Sequence, residues 1–211
     1  DQSGNKYLLL ESDRQVQDSQ IMLETVDVIV QSSIRMLPTF SSQDLSNVAW
    51  ALARLVGNTS SETDAELGVR DVHKLLHRIG RRMADPRMAV TSQSISNTLW
   101  GMANLEFFDA AIYRGVASRL LSPEITTKCN PQVYGNSLWA TATAELEIAD
   151  KLDFDTTHVP VSERTPQPTD PITAVFDMAA KDMMRRPHQY EPQHIANILW
   201  SFSKLSIRHP L

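Results

Sequence analysis

The sequence predicts an all-α fold: an α-solenoid of about four helix-pair repeats, with a long irregular insertion before the last one. Three observations predict it. All four tryptophans occupy one recurring phrase, with Gln seven residues before the indole and Asn three before it: Gln43 and Asn47 before Trp50, Gln93 and Asn97 before Trp100, Gln132 and Asn136 before Trp139, Gln193 and Asn197 before Trp200. The Trp-to-Trp spacings are 50, 39 and 61 residues. The shortest suits two helices and two turns, a repeat of about 39 residues. Finally, no stretch alternates polar and apolar residues with β-branched enrichment, so no strand is expected.

The organisation follows from the insertions. Residues 1–15 read as an irregular N-terminal segment, and 16–148 as repeats one to three. Asn58–Asp64 interrupts these as a polar loop without periodicity. Residues 149–171 hold Pro160, Pro166, Pro168 and Pro171 amid charge and Thr, and read as a Pro-rich connection. Residues 172–211 form repeat four. No unit has an obviously polar outer face of the kind that caps such arrays, so the array is expected to continue beyond this chain.

The first helix of each repeat is amphipathic. Its stripes are Leu23, Val26, Val30, Ile34 and Leu37; Val72, Leu75, Leu76, Ile79 and Met83; Phe108, Ile112, Val116 and Leu120; and Ile172, Phe176, Ala179 and Met183. The second helix carries the Trp. Nine residues before the indole stand Ser41, Thr91, Asn130 and Glu191. The first three are good N-caps and Glu191 is a poor one. Ser42, Ser92, Pro131 and Pro192 follow, and Pro suits the first helical turn. On a helical wheel with Trp at zero, the positions five before, one before, two after and three after it fall between about 200° and 300°. They are expected to be buried: Leu45, Ala49, Leu52 and Ala53 in the first copy, Ile195, Leu199, Phe202 and Ser203 in the last. The position four before the Trp is always small (Ser46, Ser96, Gly135, Ala196), which lets another backbone approach.

Composition narrows the function classes. No apolar run reaches the length of a membrane span. Cys129 is the only cysteine, which excludes an internal disulfide and suits a reducing compartment. The net charge is −5, but residues 70–128 carry nine basic and five acidic residues. The acidic total argues against strong non-specific nucleic-acid binding, and the central basic block favours a local site.

Residues 92–105, Ser-Gln-Ser-Ile-Ser-Asn-Thr-Leu-Trp-Gly-Met-Ala-Asn-Leu, resemble the repeats of octotricopeptide proteins. They are similar also to the helical repeats of organellar proteins that end in a RAP domain, including the FAST-kinase-like group. The resemblance spans all four repeats. It implies an α-solenoid that binds RNA in a mitochondrion or chloroplast and acts in RNA processing, stability, translation or ribosome assembly.

Three sets of residues are candidates for RNA contact. Arg70, Lys74, Arg78, Arg81 and Arg82 lie on the first helix of repeat two, with Arg87 in the following turn. Spacings of three and four put most of them on one face, where they could contact phosphates or simply be solvated. Lys181, Arg185 and Arg186 form a second patch. The eight Gln and Asn residues of the Trp phrases form a polar ladder opposite the expected core, together with Ala51, Gly101, Ala140 and Ser201 at the position after the Trp. Identity in every copy favours a structural role for these amides over base reading. Base discrimination needs residues that vary: Asp44, Ser94, Val133 and His194, or Arg54, Asn104, Thr143 and Lys204. The indoles could stack on bases, but their place at the edge of the apolar arc favours core packing.

Enzyme readings have little support. His73 and His77 are four apart but lack the Glu of a zinc-protease helix. There is no Gly-rich phosphate loop, no kinase catalytic phrase and no thiolate cluster. No cofactor, metal, membrane or small-molecule substrate is expected. The reading is a non-catalytic segment that binds single-stranded or ribosomal RNA. The alternative is a protein-interaction scaffold, such as a subunit of a mitochondrial ribosome.

Overall fold

The computed structural model describes residues 17, 20–22, 24–56, 62–153 and 170–207, and the side chains of 62–70 and 149–153 are not described. Leu23, the segment 1–15 and most of the Pro-rich connection lie outside these residues. Among the described residues the chain is all helix and turn. The helices are α1 (24–36), α2 (Ser42–Val56), α3 (Glu62–Ala84), α4 (Ser92–Asn104), α5 (Ala110–Ser118), α6 (Pro123–Thr126), α7 (Pro131–Asp153), α8 (Pro171–Arg185) and α9 (Pro192–Lys204).

The helices lie in two layers. The four Trp helices pack in sequence order, α2 on α4, α4 on α7 and α7 on α9. The other layer runs α3 on α5 and α5 on α8, and α1 joins it where Gln31 Nε2 donates to Asp71 Oδ2 at 3.1 Å. The core between the layers holds the first-helix stripes, with Leu75, Leu76, Ile79 and Met83 fully buried. Leu45, Leu52, Ile95, Met102 and Tyr134 meet them from the Trp helices.

Boundaries differ from expectation in three places. α3 begins at Glu62, inside the stretch read as a polar loop. α7 runs to Asp153, past the start of the expected connection. The Phe108–Leu120 stripe is not one helix: α5 ends at Ser118, a 3-10 turn covers Arg119–Leu121, and α6 begins at Pro123. The residue before a proline is pushed out of helical geometry, and Ser122 is extended at ψ 130°.

Helix starts follow the expected caps. The Thr91 side chain accepts from Ser94 N at 3.0 Å, Asn130 Oδ1 from Val133 N at 2.9 Å, and Ser41 Oγ from Asp44 N at 3.3 Å. α4 and α9 end alike. Glu106 and Ser206 take left-handed φ of 53° and 51°. Their N–H groups donate to Ala103 and Ser203, and the next N–H groups, of Phe107 and Ile207, reach Met102 and Phe202 at 3.0 Å. This is the Schellman closure, made here without glycine.

The Trp helices touch through small side chains in a repeated register. A Cβ on Gly101 would lie 2.8 Å from the Ala49 backbone, so only glycine permits this approach. Gly135 sits against the His194 backbone, and Ser96 Oγ donates to the Val133 carbonyl at 3.4 Å. Three buried hydroxyls are satisfied inside their own helices: Thr98 donates to the Ser94 carbonyl at 2.8 Å, Thr141 to Ser137 at 2.6 Å, and Ser201 to Asn197 at 2.6 Å.

The buried arc of a Trp helix is therefore wider than the wheel suggested. Gly101, Ala140 and Ser201 are buried and Ala51 is half-buried. Gly101, Ala140 and Ser201 do not join the outward polar face, because each lies on the flank that meets the preceding Trp helix: α2, α4 and α7 respectively. In α9 the expectation fails the other way: Leu199 is 57% exposed, Ser203 is exposed, and Ile195 and Phe202 are half-buried.

Candidate nucleic-acid interface

The Gln and Asn of each Trp phrase do lie on the outer side of the Trp-helix layer. Every one of the eight is exposed or half-exposed. In α2 and α4 they bond to each other: Gln43 Nε2 donates to Asn47 Oδ1 and Gln93 Nε2 to Asn97 Oδ1, both at 2.8 Å. That leaves an Asn N–H2 donor and a Gln carbonyl acceptor facing outward in each pair. Gln132, Asn136, Gln193 and Asn197 occupy the matching places in α7 and α9.

The indoles are less buried than expected. Trp100 and Trp139 are half-buried against the core, but Trp50 is 47% and Trp200 37% exposed. Lys204 Nζ stands 5.6 Å from the Trp200 ring centroid, a cation–π contact.

The varying residues six before the Trp have a different job. They are the third residue of each helix, where a side chain can reach back to the cap. Ser41 N donates to Asp44 Oδ2 at 2.8 Å, Thr91 N to Ser94 Oγ at 3.0 Å, and Glu191 N to His194 Nδ1 at 3.2 Å. Ser41 Oγ also donates to Asp44 at 2.6 Å, and these bonds hold the Asp44 carboxyl below its usual range. Ser94 and Val133 are buried. Asp44, Ser94 and His194 thus match their caps, which accounts for their variation between copies without base reading and explains why Glu191 can start a helix. At the position four after the Trp, Asn104 Nδ2 donates to the Trp100 carbonyl at 2.8 Å and Thr143 Oγ1 to the Trp139 carbonyl at 2.9 Å. Arg54 and Lys204 are exposed at the two ends of this row.

The basic residues divide into two groups. Lys74, His77, Arg78 and Arg81 form the exposed face of α3. Lys74 pairs with Asp71 at 2.7 Å, while Arg78 and Arg81 make no ion pair among the described residues. The side chain of Arg70 lies outside them. Arg87 is held by Asp85, whose carboxyl accepts from Arg87 N, Nε and Nη2 and is pulled down to about 2. Lys181 pairs with Asp177 at 2.7 Å. His73 is no partner of His77. Its Nε2 lies 2.9 Å from the Leu105 carbonyl, and its ring meets Phe107 edge-on.

Arg82 and Arg186 belong to the second group, which is structural. Arg82 donates to the Leu37 and Phe40 carbonyls, the latter at 3.1 Å. Arg186 donates to the Cys129 carbonyl at 2.7 Å and to Asp182 at 2.7 Å. Arg119, missed in the sequence, donates to the Asp85 and Met88 carbonyls, the latter at 2.8 Å. Arg82 stands near the end of α3, Arg119 just after α5 and Arg186 just after α8, and each reaches back to an earlier turn, those before α2, α4 and α7. Such charge-assisted bonds add a donor to the carbonyls of a turn, two of which, Leu37 and Asp85, also accept a backbone N–H. Arg82 and Arg186, read from the sequence as phosphate candidates, are here engaged by backbone carbonyls and Asp182. Asp182, which holds Arg186, is buried at 4% exposure. It also accepts from Arg185 at 2.7 Å and from Tyr190 Oη at 2.8 Å. Burial opposes its charge, but bonds from Arg186, Tyr190 and Arg185 outweigh burial and keep its carboxyl below the usual range. Arg185 remains largely exposed beside it.

The remaining candidates lie on two sides of the molecule. The amide row faces outward from the Trp-helix layer, and Arg78 and Arg81 face outward from the opposite layer. Cys129 is buried, and burial pushes its thiol up to about 11, so it is a poor nucleophile. Among the described residues no group of three or more His, Cys, Asp or Glu is placed to hold a metal ion, and no helix is long and apolar enough to cross a membrane. Comparison with protein-family models, with curated proteins and with solved structures gives no match.

Proposed function

We propose that the chain is a four-unit α-solenoid segment that binds single-stranded or ribosomal RNA in a mitochondrion or chloroplast, in RNA processing, stability, translation or ribosome assembly. The observation that carries this reading is the side-by-side packing of α2, α4, α7 and α9, which turns the Gln and Asn of each phrase to one outer surface. An amide that offers both donor and acceptor suits base edges and sugar hydroxyls. Arg54 and Lys204 lie in the same row, and Arg78 and Arg81 supply a second, phosphate-binding contact on the other layer. The resemblance of residues 92–105 to octotricopeptide and RAP-associated repeats points the same way.

The test is a salt titration of labelled single-stranded RNA binding, followed by fluorescence anisotropy. Affinity should fall steeply between about 50 and about 200 mM salt, since each neutralised phosphate releases counterions. No binding at micromolar protein and about 50 mM salt rejects the reading. A protein-interaction scaffold is the second reading. The net charge of −5 and the use of Arg82 and Arg186 as internal ties favour it, and it predicts that null result.

A further inference from the structure

Two guanidinium groups of the first-helix layer stand apart from the rest. Among the described residues of that layer, the other basic side chains are engaged. Arg35 donates to Ser32, Lys74 and Lys181 pair with Asp71 and Asp177, Arg114 pairs with Glu145 at 3.2 Å, and Arg185 pairs with Asp182. Arg82, Arg119 and Arg186 bond turn carbonyls. Arg78 and Arg81 have neither kind of partner among the described residues. The helical spacing explains this. Three and four residues either side of Arg78 stand Lys74, Leu75, Arg81 and Arg82, none of them acidic. Asp85, four after Arg81, is taken up by Arg87.

Lys74, His77, Arg78 and Arg81 are all exposed and fall within about 100° of the α3 wheel. This crest is not uniform. At the Lys74 end, Gln31 Nε2 donates to Asp27 at 3.5 Å and to Asp71 at 3.1 Å, which gathers two carboxylates there. The positive charge is therefore concentrated at Arg78 and Arg81. The amide row lies on the far side of the core. Leu75 and Ile79 of α3 and Ile95 and Met102 of α4 are fully buried between the layers, so no strand passes through. A helix with its side chains is about 10–12 Å across, which sets the two outer surfaces about 20 Å apart.

We propose that the chain holds two RNA segments at once, one on each layer. This rests on the RNA reading above and extends it from one ligand to two. The α3 crest takes the phosphate backbone alone. A guanidinium is a planar fork that bonds two phosphate oxygens together, and Arg78 and Arg81 offer two such forks one helical turn apart. Phosphate contacts carry no sequence information, so this surface accepts any strand. The amide row takes bases and sugars, since its Gln and Asn side chains both donate and accept. A strand long enough for one surface does not turn the edge of the array to reach the other. The chain then acts as a tether that draws two segments, of one RNA or of two, to within about 20 Å of each other.

The test is the stoichiometry of binding of a single-stranded RNA of about six nucleotides, read by sedimentation velocity under saturating conditions at about 50 mM salt. The parent chain should bind two oligonucleotides. A mixture of donor- and acceptor-labelled oligonucleotides should show energy transfer on it. Arg78→Glu combined with Arg81→Glu should leave one oligonucleotide, on the amide row. Asn97→Asp, Asn136→Asp and Asn197→Asp combined should leave one, on α3. Both variants should lose the energy transfer. The oligonucleotide kept by the Asn variant should be released at the lower salt, because its contacts are to phosphate alone. Thermal melts matching the parent's establish that both variants fold. One oligonucleotide on the parent, or a variant that keeps two or none, overturns this inference and leaves the RNA reading standing. No binding by the parent at about 50 mM salt rejects both.

Discussion

The Arg119 guanidinium donates from Nη2 to the Met88 carbonyl at 2.8 Å, tying the end of α5 to the turn between α3 and α4. The same atom group reaches the Asp85 carbonyl. These carbonyls follow the end of α3; that of Asp85 also accepts from Met88 N at 3.0 Å, and the arginine bonds both as α5 packs against α3. Arg119→Ala should cost about 2 kcal/mol, the usual worth of hydrogen bonds from a charged group. Arg78→Ala, on the open face of α3, should stay within about 0.5 kcal/mol. Urea denaturation of the two variants measures both. Equal effects would mean that the Arg119 tie contributes nothing.

Asp182, near the end of α8, links Arg185, Arg186 and Tyr190. Its carboxyl is held below the usual range by Arg186, Tyr190 and Arg185 in spite of burial. Its contribution is complete above the unfolded carboxylate value of about 3.9 and disappears as pH falls through the lowered folded value. Asp182→Asn should therefore destabilise by about 2–4 kcal/mol at neutral pH, since it leaves Arg186 without its charged partner. The gap between parent and variant should narrow below about pH 4. Urea midpoints at several acidic pH values test this. A gap that widens on acidification would be the wrong sign.

Gly101 approaches the Ala49 backbone too closely for a Cβ. Gly101→Ala should separate α2 from α4 and cost about 1–3 kcal/mol by overpacking. Helix propensity alone would stabilise the same change by up to about 1 kcal/mol. A thermal melt thus decides the sign. A more stable variant would mean that the helices are not packed at this register.

The Trp phrase made the helices, their caps and the inward Leu45, Leu52, Ile95 and Met102 legible. A wheel describes one helix, so it shows the face toward the core but not the two flanks that neighbours cover. The wheel alone therefore places Gly101 and Ala140 outward and Leu199 inward. The spacing from Ser41 to Asp44 and from Thr91 to Ser94 carried the capping signal, which variation between copies disguised as base reading. The arginine ties had no fixed address. Arg82 stands 18 residues before its Trp, Arg119 20 and Arg186 14, because each turn between the layers has its own length. Only folding shows that they do the same work.

The most direct measurement is RNA affinity of the triple variant Asn97→Asp, Asn136→Asp, Asn197→Asp. It keeps the shape of the amide row and replaces three donors with negative charge. If this row is the RNA-facing surface, affinity should fall at least about tenfold, or about 1.4 kcal/mol, while the thermal melt stays close to the parent's. Unchanged affinity in a variant that melts like the parent would contradict the account.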